Sequence, residues 1–101
     1  MSFSVLSNDR IDVTDTEYKT ASVAVSTTQV EAKADTVRLF ERQSVMLYNK
    51  GPGSVYFGPD GVVVGTGVRL FPFQTIKVMV GDIGLFLISD TSTDVVVQEL
   101  S

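Results

Sequence analysis

Apolar and polar residues alternate with a period of two along most of this chain. Ser22–Ser26 reads Ser-Val-Ala-Val-Ser and Gln29–Ala34 reads Gln-Val-Glu-Ala-Lys-Ala. That places Val23 and Val25, then Val30, Ala32 and Ala34, on one face of half-buried strands. The second run also fits one helical turn, because Glu, Ala and Lys favour helix. Ser44–Asn49 and Ser54–Gly58 flank Lys50-Gly51-Pro52-Gly53, which predicts a hairpin closed by a Gly-Pro-Gly turn. Its strands are apolar on both sides, with Val45 and Leu47 opposed to Met46 and Tyr48, and Val55 and Phe57 opposed to Tyr56. One face enters the core; the other is covered, or remains as an apolar patch.

Beyond the turn at Pro59-Asp60-Gly61, three valines, Val62–Val64, sit between glycines as a short buried strand or an apolar loop tip. Leu70-Phe71-Pro72-Phe73 carries the same ambiguity, and Pro72 places it at a strand start or a sheet edge. Thr75–Val80 turns Ile76, Val78 and Val80 inward and Lys77 outward. Gly84–Ser89 is apolar on both faces and predicts a central strand. After a turn at Asp90–Asp94 comes a last strand, Val95–Leu100. Its Val95-Val96-Val97 has no proline or glycine, so it lies inside a sheet or forms an edge used in assembly. Short strands with a turn about every 8–12 residues predict an all-β fold: an antiparallel β-sandwich (jelly-roll/Ig-like) or a small barrel. Residues 1–21 are polar, with Asp9, Asp12, Asp15 and Glu17. They predict an extended N-terminal arm, with one short strand at Arg10–Val13, that cannot fold alone. Residues 22–101 form the sandwich domain.

Composition strengthens the strand reading. Val, Ile and Thr supply 31 of the 101 residues, and every glycine and proline falls between Gly51 and Gly84. Cysteine, histidine and tryptophan are absent, which removes disulfides, thiolate zinc sites, cysteine nucleophiles and Ser-His-Asp chemistry. The net charge is −4 and the basic residues are scattered. No basic stripe exists to displace counterions, so neither nucleic acid nor an anionic membrane is expected as a partner. The start has no positive region before an apolar run, and no window approaches membrane-span length.

Candidate chemistry adds little. Asp60, Asp82, Asp90 and Asp94 fall in predicted loops, where Asp is a routine turn former. They lack the spacing of a calcium loop, and nothing pairs two of them as the acid and base of a glycosidase. Gly65-Thr66-Gly67 has neither the third glycine nor the helix of a dinucleotide fingerprint. No catalytic residue, metal or cofactor is expected. The aromatic residues Tyr48, Tyr56, Phe57, Phe71, Phe73 and Phe86 fill a core or form a platform for a sugar or a partner. Phe71 and Phe73 share one parity around Pro72 while Leu70 takes the other; if the two faces divide that way, apolar area meets another chain, and burial of both rings in the core is the equal alternative. The interface candidates are therefore Phe71, Phe73 and Val96, with Phe3, Leu6, Ile11 and Val13 on the arm.

Five stretches then carry a resemblance: Ser22-Val23-Ala24-Val25-Ser26-Thr27-Thr28-Gln29, Leu47-Tyr48-Asn49-Lys50-Gly51, Ser54-Val55-Tyr56-Phe57-Gly58-Pro59-Asp60-Gly61-Val62, Thr66-Gly67-Val68-x-Leu70 and Thr93-Asp94-Val95-Val96-Val97-Gln98-Glu99-Leu100. In this order, over residues 22–100, the chain resembles small β-sandwich virion structural proteins of tailed bacteriophages, of the head-decoration, head-fibre or tail-accessory kind. It departs from them at Phe71-Pro72-Phe73-Gln74, where such proteins often have a Pro-x-Gly or Ala-Gly turn. The resemblance implies a non-enzymatic protein of the virion, assembled in the host cytoplasm. It would bind the major capsid protein or other virion proteins as a trimer or dimer and clamp neighbouring capsomers. A tail or neck accessory protein is the alternative within that class, and a carbohydrate-binding host-attachment module is the alternative outside it.

Overall fold

Strands form where the sequence alternates, and most are shorter than the alternation. The computed structural model describes residues 3–4, 12–13, 18–81 and 83–101. Among these the strands are β1 (Phe3–Ser4), β2 (Asp12–Val13), β3 (Tyr18–Val25), β4 (Val30–Glu31), β5 (Ser44–Gly51), β6 (Val55–Gly58), β7 (Val68–Leu70), β8 (Thr75–Val78), β9 (Phe86–Ile88) and β10 (Thr93–Leu100), with no helix. The N-terminal pair is antiparallel, with Phe3 opposite Val13. β3 begins four residues before the expected Ser22. The helical alternative for Gln29–Ala34 is not realised. Only Val30–Glu31 of that run forms a ladder, because the Lys33 amide turns back to the Glu31 carbonyl and the Ala34 amide donates to a side chain, that of Glu99.

The remaining strands form two four-stranded sheets, β3-β10-β5-β8 and β4-β9-β6-β7. The order comes from nesting. β3 pairs β10, β4 pairs β9, β5 pairs β8 and β6 pairs β7, all antiparallel. Successive pairs alternate between layers, and the β10–β5 and β9–β6 ladders close each layer. Four nested pairs wrapped into two layers are the jelly-roll order. The molecule is thus an all-β sandwich and not a closed barrel.

This topology corrects the expected hairpin. β5 and β6 lie in opposite sheets, so Gly51-Pro52-Gly53 is a corner between layers and not a hairpin turn. The Gly51-Pro52 peptide is cis, and Gly51 takes φ 79°, which favours glycine. Asn49, fully buried, does the work of the missing hairpin ladder. Its Nδ2 donates to the Gly53 and Leu70 carbonyls at 2.9 and 3.0 Å, and its Oδ1 accepts from the Gly51 amide at 2.7 Å.

Other open readings resolve similarly. Val62–Val64 is a loop: the Val62 amide donates to Pro59 and the Thr66 amide to Val63, leaving Val62 buried and Val63 out. β9 is central, between β4 and β6. β10 is interior, with Val95, Val96 and Val97 paired to β3 on one side and β5 on the other. The core between the layers joins Val25, Val45, Leu47, Val95 and Val97 to Ala32, Val55, Phe57, Leu70, Leu85 and Leu87. In β6 and β10 these core residues alternate with less buried ones, as two packed sheets require.

Candidate interaction surface

Both ends of the sandwich carry large apolar side chains in solvent on turns held from beneath by buried polar groups.

At one end, β7 finishes with the buried Leu70 and the chain turns through Phe71-Pro72-Phe73-Gln74 into β8. The Phe71 amide donates to the Gln74 Oε1 at 2.9 Å, and the Gln74 amide donates back to the Phe71 carbonyl at 3.1 Å. The end of β5 holds the same turn. The Phe73 amide donates to the Asn49 carbonyl at 2.6 Å, and the Asn49 amide to the Gln74 carbonyl at 3.0 Å. Phe73 sits in the left-handed region with φ 66°, where a bulky residue is strained, yet its side chain is 72% exposed. Phe71 is 50% exposed, and the Arg69 guanidinium lies 4.3 Å from its ring centroid. Arg69 is itself oriented by Ser54, whose Oγ accepts from its Nε. At the same end a recess of about 220 Å³ is lined by Gly51, Pro52, Ser26, Ser92, Thr93 and Asp94, among others.

The opposite end is built on a buried ion pair that the sequence reading did not identify. Arg42 and Glu99 have fully buried side chains, with Nη1 2.8 Å from Oε2. Arg42 also donates to the carbonyls of Ala32, Gly81 and Ile83. Glu99 accepts from the amides of Ala34 and Leu39. Together the two side chains tie the β4–β5 loop and the β8–β9 turn to the end of β10. Above them Phe40 is 82% exposed, beside Glu41 at φ 55°, and Val37, Met79 and Ile83 are also out. A signal for this pair was present. Glu99 shares the inward parity of Val95 and Val97, and a charge at a core-facing position requires a buried partner.

The interface candidates separate accordingly. Phe71 and Phe73 come together as exposed neighbours, with Leu70 turned into the core. Val96 lies elsewhere, half-buried on the outer face of its sheet between Ser22 and Tyr48. Its backbone is paired on both sides, so only its side chain is presented. Phe3 and Val13 belong to the β1–β2 ladder, while Leu6 and Ile11 lie outside the described residues.

Of the four carboxylates expected in loops, Asp60 accepts from the Gln29 Nε2 at 2.6 Å, Asp90 is exposed, Asp94 is exposed but belongs to β10, which begins two residues before the expected Val95, and Asp82 lies outside the described residues. Among the described residues no three metal-ligating side chains come together. The Thr36 amide, and after it Lys19, holds the Asp35 carboxyl below the usual carboxylate range. In sequence comparisons no family model matches this chain, and no curated protein matches it.

Proposed function

We propose that this chain is a non-enzymatic structural protein of a bacteriophage virion, assembled in the host cytoplasm, that binds the assembled head as a decoration or cement protein. The jelly-roll order is common to viral capsid and lectin domains, so the surface and not the fold supports this role. The observation that carries it is the Phe71–Phe73 turn. An exposed aromatic in left-handed backbone costs about 1–3 kcal/mol of strain, and glycine or asparagine in its place would relieve it. A rigid turn that nevertheless presents two phenyl rings to solvent is pre-organised to fill apolar pockets on a partner, losing little conformational entropy on binding. The net charge of −4 suits a protein that coats a particle without competing for the nucleic acid. The primary partner on this reading is the major capsid protein.

The test is saturation binding of the purified chain to empty heads assembled without it. A decoration protein binds to a plateau at a copy number set by the head lattice. No binding to heads, with retention on purified tails or necks, would move the assignment to a tail or neck accessory protein.

A further inference from the structure

We infer that β3 is a self-association edge, and that two copies of this chain pair their β3 strands antiparallel about a two-fold axis to form one continuous eight-stranded sheet. This rests on an observation separate from the aromatic turns and stands or falls independently of the virion reading.

Two sheets leave four outer strands, and three of them are short. β4 has two residues, β7 has three and β8 has four. Short edges are one of the usual devices against unwanted pairing. β3 has eight residues, Tyr18–Val25, and among the described residues it pairs only with β10. That ladder runs through all eight positions with no register shift, from Tyr18 opposite Leu100 to Val25 opposite Thr93. Among the described residues its other side is therefore a long, regular row of unpaired backbone donors and acceptors. It contains no proline, no glycine and no bulge. Its one charge, Lys19, is the residue that would guard such an edge. The Lys19 ammonium is instead drawn to Asp35 of its own chain, at 3.4 Å.

The side chains favour a second copy as occupant. Matching faces across a two-fold axis requires a residue to meet itself, at Ala21, Ser22 or Val23 near the strand centre. With the axis at Ser22, Thr20 meets Ala24 of the other copy, Ala21 meets Val23 and Lys19 meets Val25. In none of the three registers does Lys19 face a charge, so no like charges stand directly opposite each other across the shared ladder. Ala21 and Val23 are only half-buried in the single chain, and the cross-pair covers both on the core side of the sheet.

The experiment is solution mass by light scattering across concentration, with two sets of variants. The wild-type chain is expected to reach twice 10.9 kDa. Thr20→Lys/Ser22→Lys/Ala24→Lys alters three exposed positions and sets lysines against lysines across the axis. It is expected to raise the dimer dissociation constant about 100-fold or more. Because the chain has no cysteine, Ala21→Cys, Ser22→Cys and Val23→Cys are clean single probes. Residues directly opposite in an antiparallel pair lie about 4.5–5.5 Å apart at Cα, within disulfide reach. Oxidation is expected to cross-link one of the three strongly and its neighbours weakly. A mass of 10.9 kDa at every concentration overturns the inference. So does a trimer, or a dimer that ignores the lysines and forms no cross-link.

Discussion

Arg42 and Glu99 show how much of the fold hangs on two side chains. A buried ion pair is usually replaceable by apolar residues of similar volume, because desolvation offsets most of its attraction. Here five backbone groups also depend on it: the amides of Ala34 and Leu39 and the carbonyls of Ala32, Gly81 and Ile83. Arg42→Met leaves Glu99 charged and unpaired, and is expected to lower stability by about 3–5 kcal/mol in urea unfolding. Adding Glu99→Met is expected not to restore it, since the backbone groups stay unsatisfied at about 1–3 kcal/mol each. A double variant as stable as the wild type would mean that water or rearranged loops satisfy those groups. Period-two alternation places Glu99 inside, but nothing local names Arg42 as its partner across 57 positions of chain.

At the scale of elements, strand existence was legible and strand partnership was not. Val95–Leu100 and Gly84–Ser89 read as strands because their apolar density admits little else. The Gly-Pro-Gly segment between β5 and β6 serves equally as a hairpin turn or as a corner between layers. Non-local pairing decides, since β5 takes β10 and β8 while β6 takes β9 and β7. The aromatic segment was legible only in part: alternation and Pro72 read as a strand start or sheet edge and left Phe71 and Phe73 open between core and surface, whereas the chain turns there, with Phe73 at φ 66°, and both rings are exposed. The glycines of the β6–β7 connection separate by the same local physics. A Cβ on Gly67 would lie 2.7 Å from the Tyr56 Cβ and 3.2 Å from its carbonyl carbon, whereas one on Gly65 would meet nothing within 4 Å. Gly67→Ala is expected to cost about 1–3 kcal/mol, and Gly65→Ala to be neutral or stabilising by up to about 1 kcal/mol. Thermal unfolding of the two variants side by side checks this; equal effects would contradict the close approach of Gly67 to β6.

For the whole molecule, the two layers form one sandwich whose sides and ends differ in what they expose. The ends present aromatic groups on strained, hydrogen-bonded turns, and the β3 side presents backbone. A protein arranged this way can join a copy of itself laterally and meet a larger surface with an end. The measurement that tests this account most directly is the binding of wild-type and Phe73→Asp protein to empty heads, taken with the thermal midpoint of each. Phe73 is largely exposed, and aspartate tolerates left-handed backbone better than phenylalanine does. The account predicts stability unchanged to within about 1 kcal/mol and a loss of head binding. Binding that survives the substitution, or a loss of binding matched by an equal loss of folding, would contradict it.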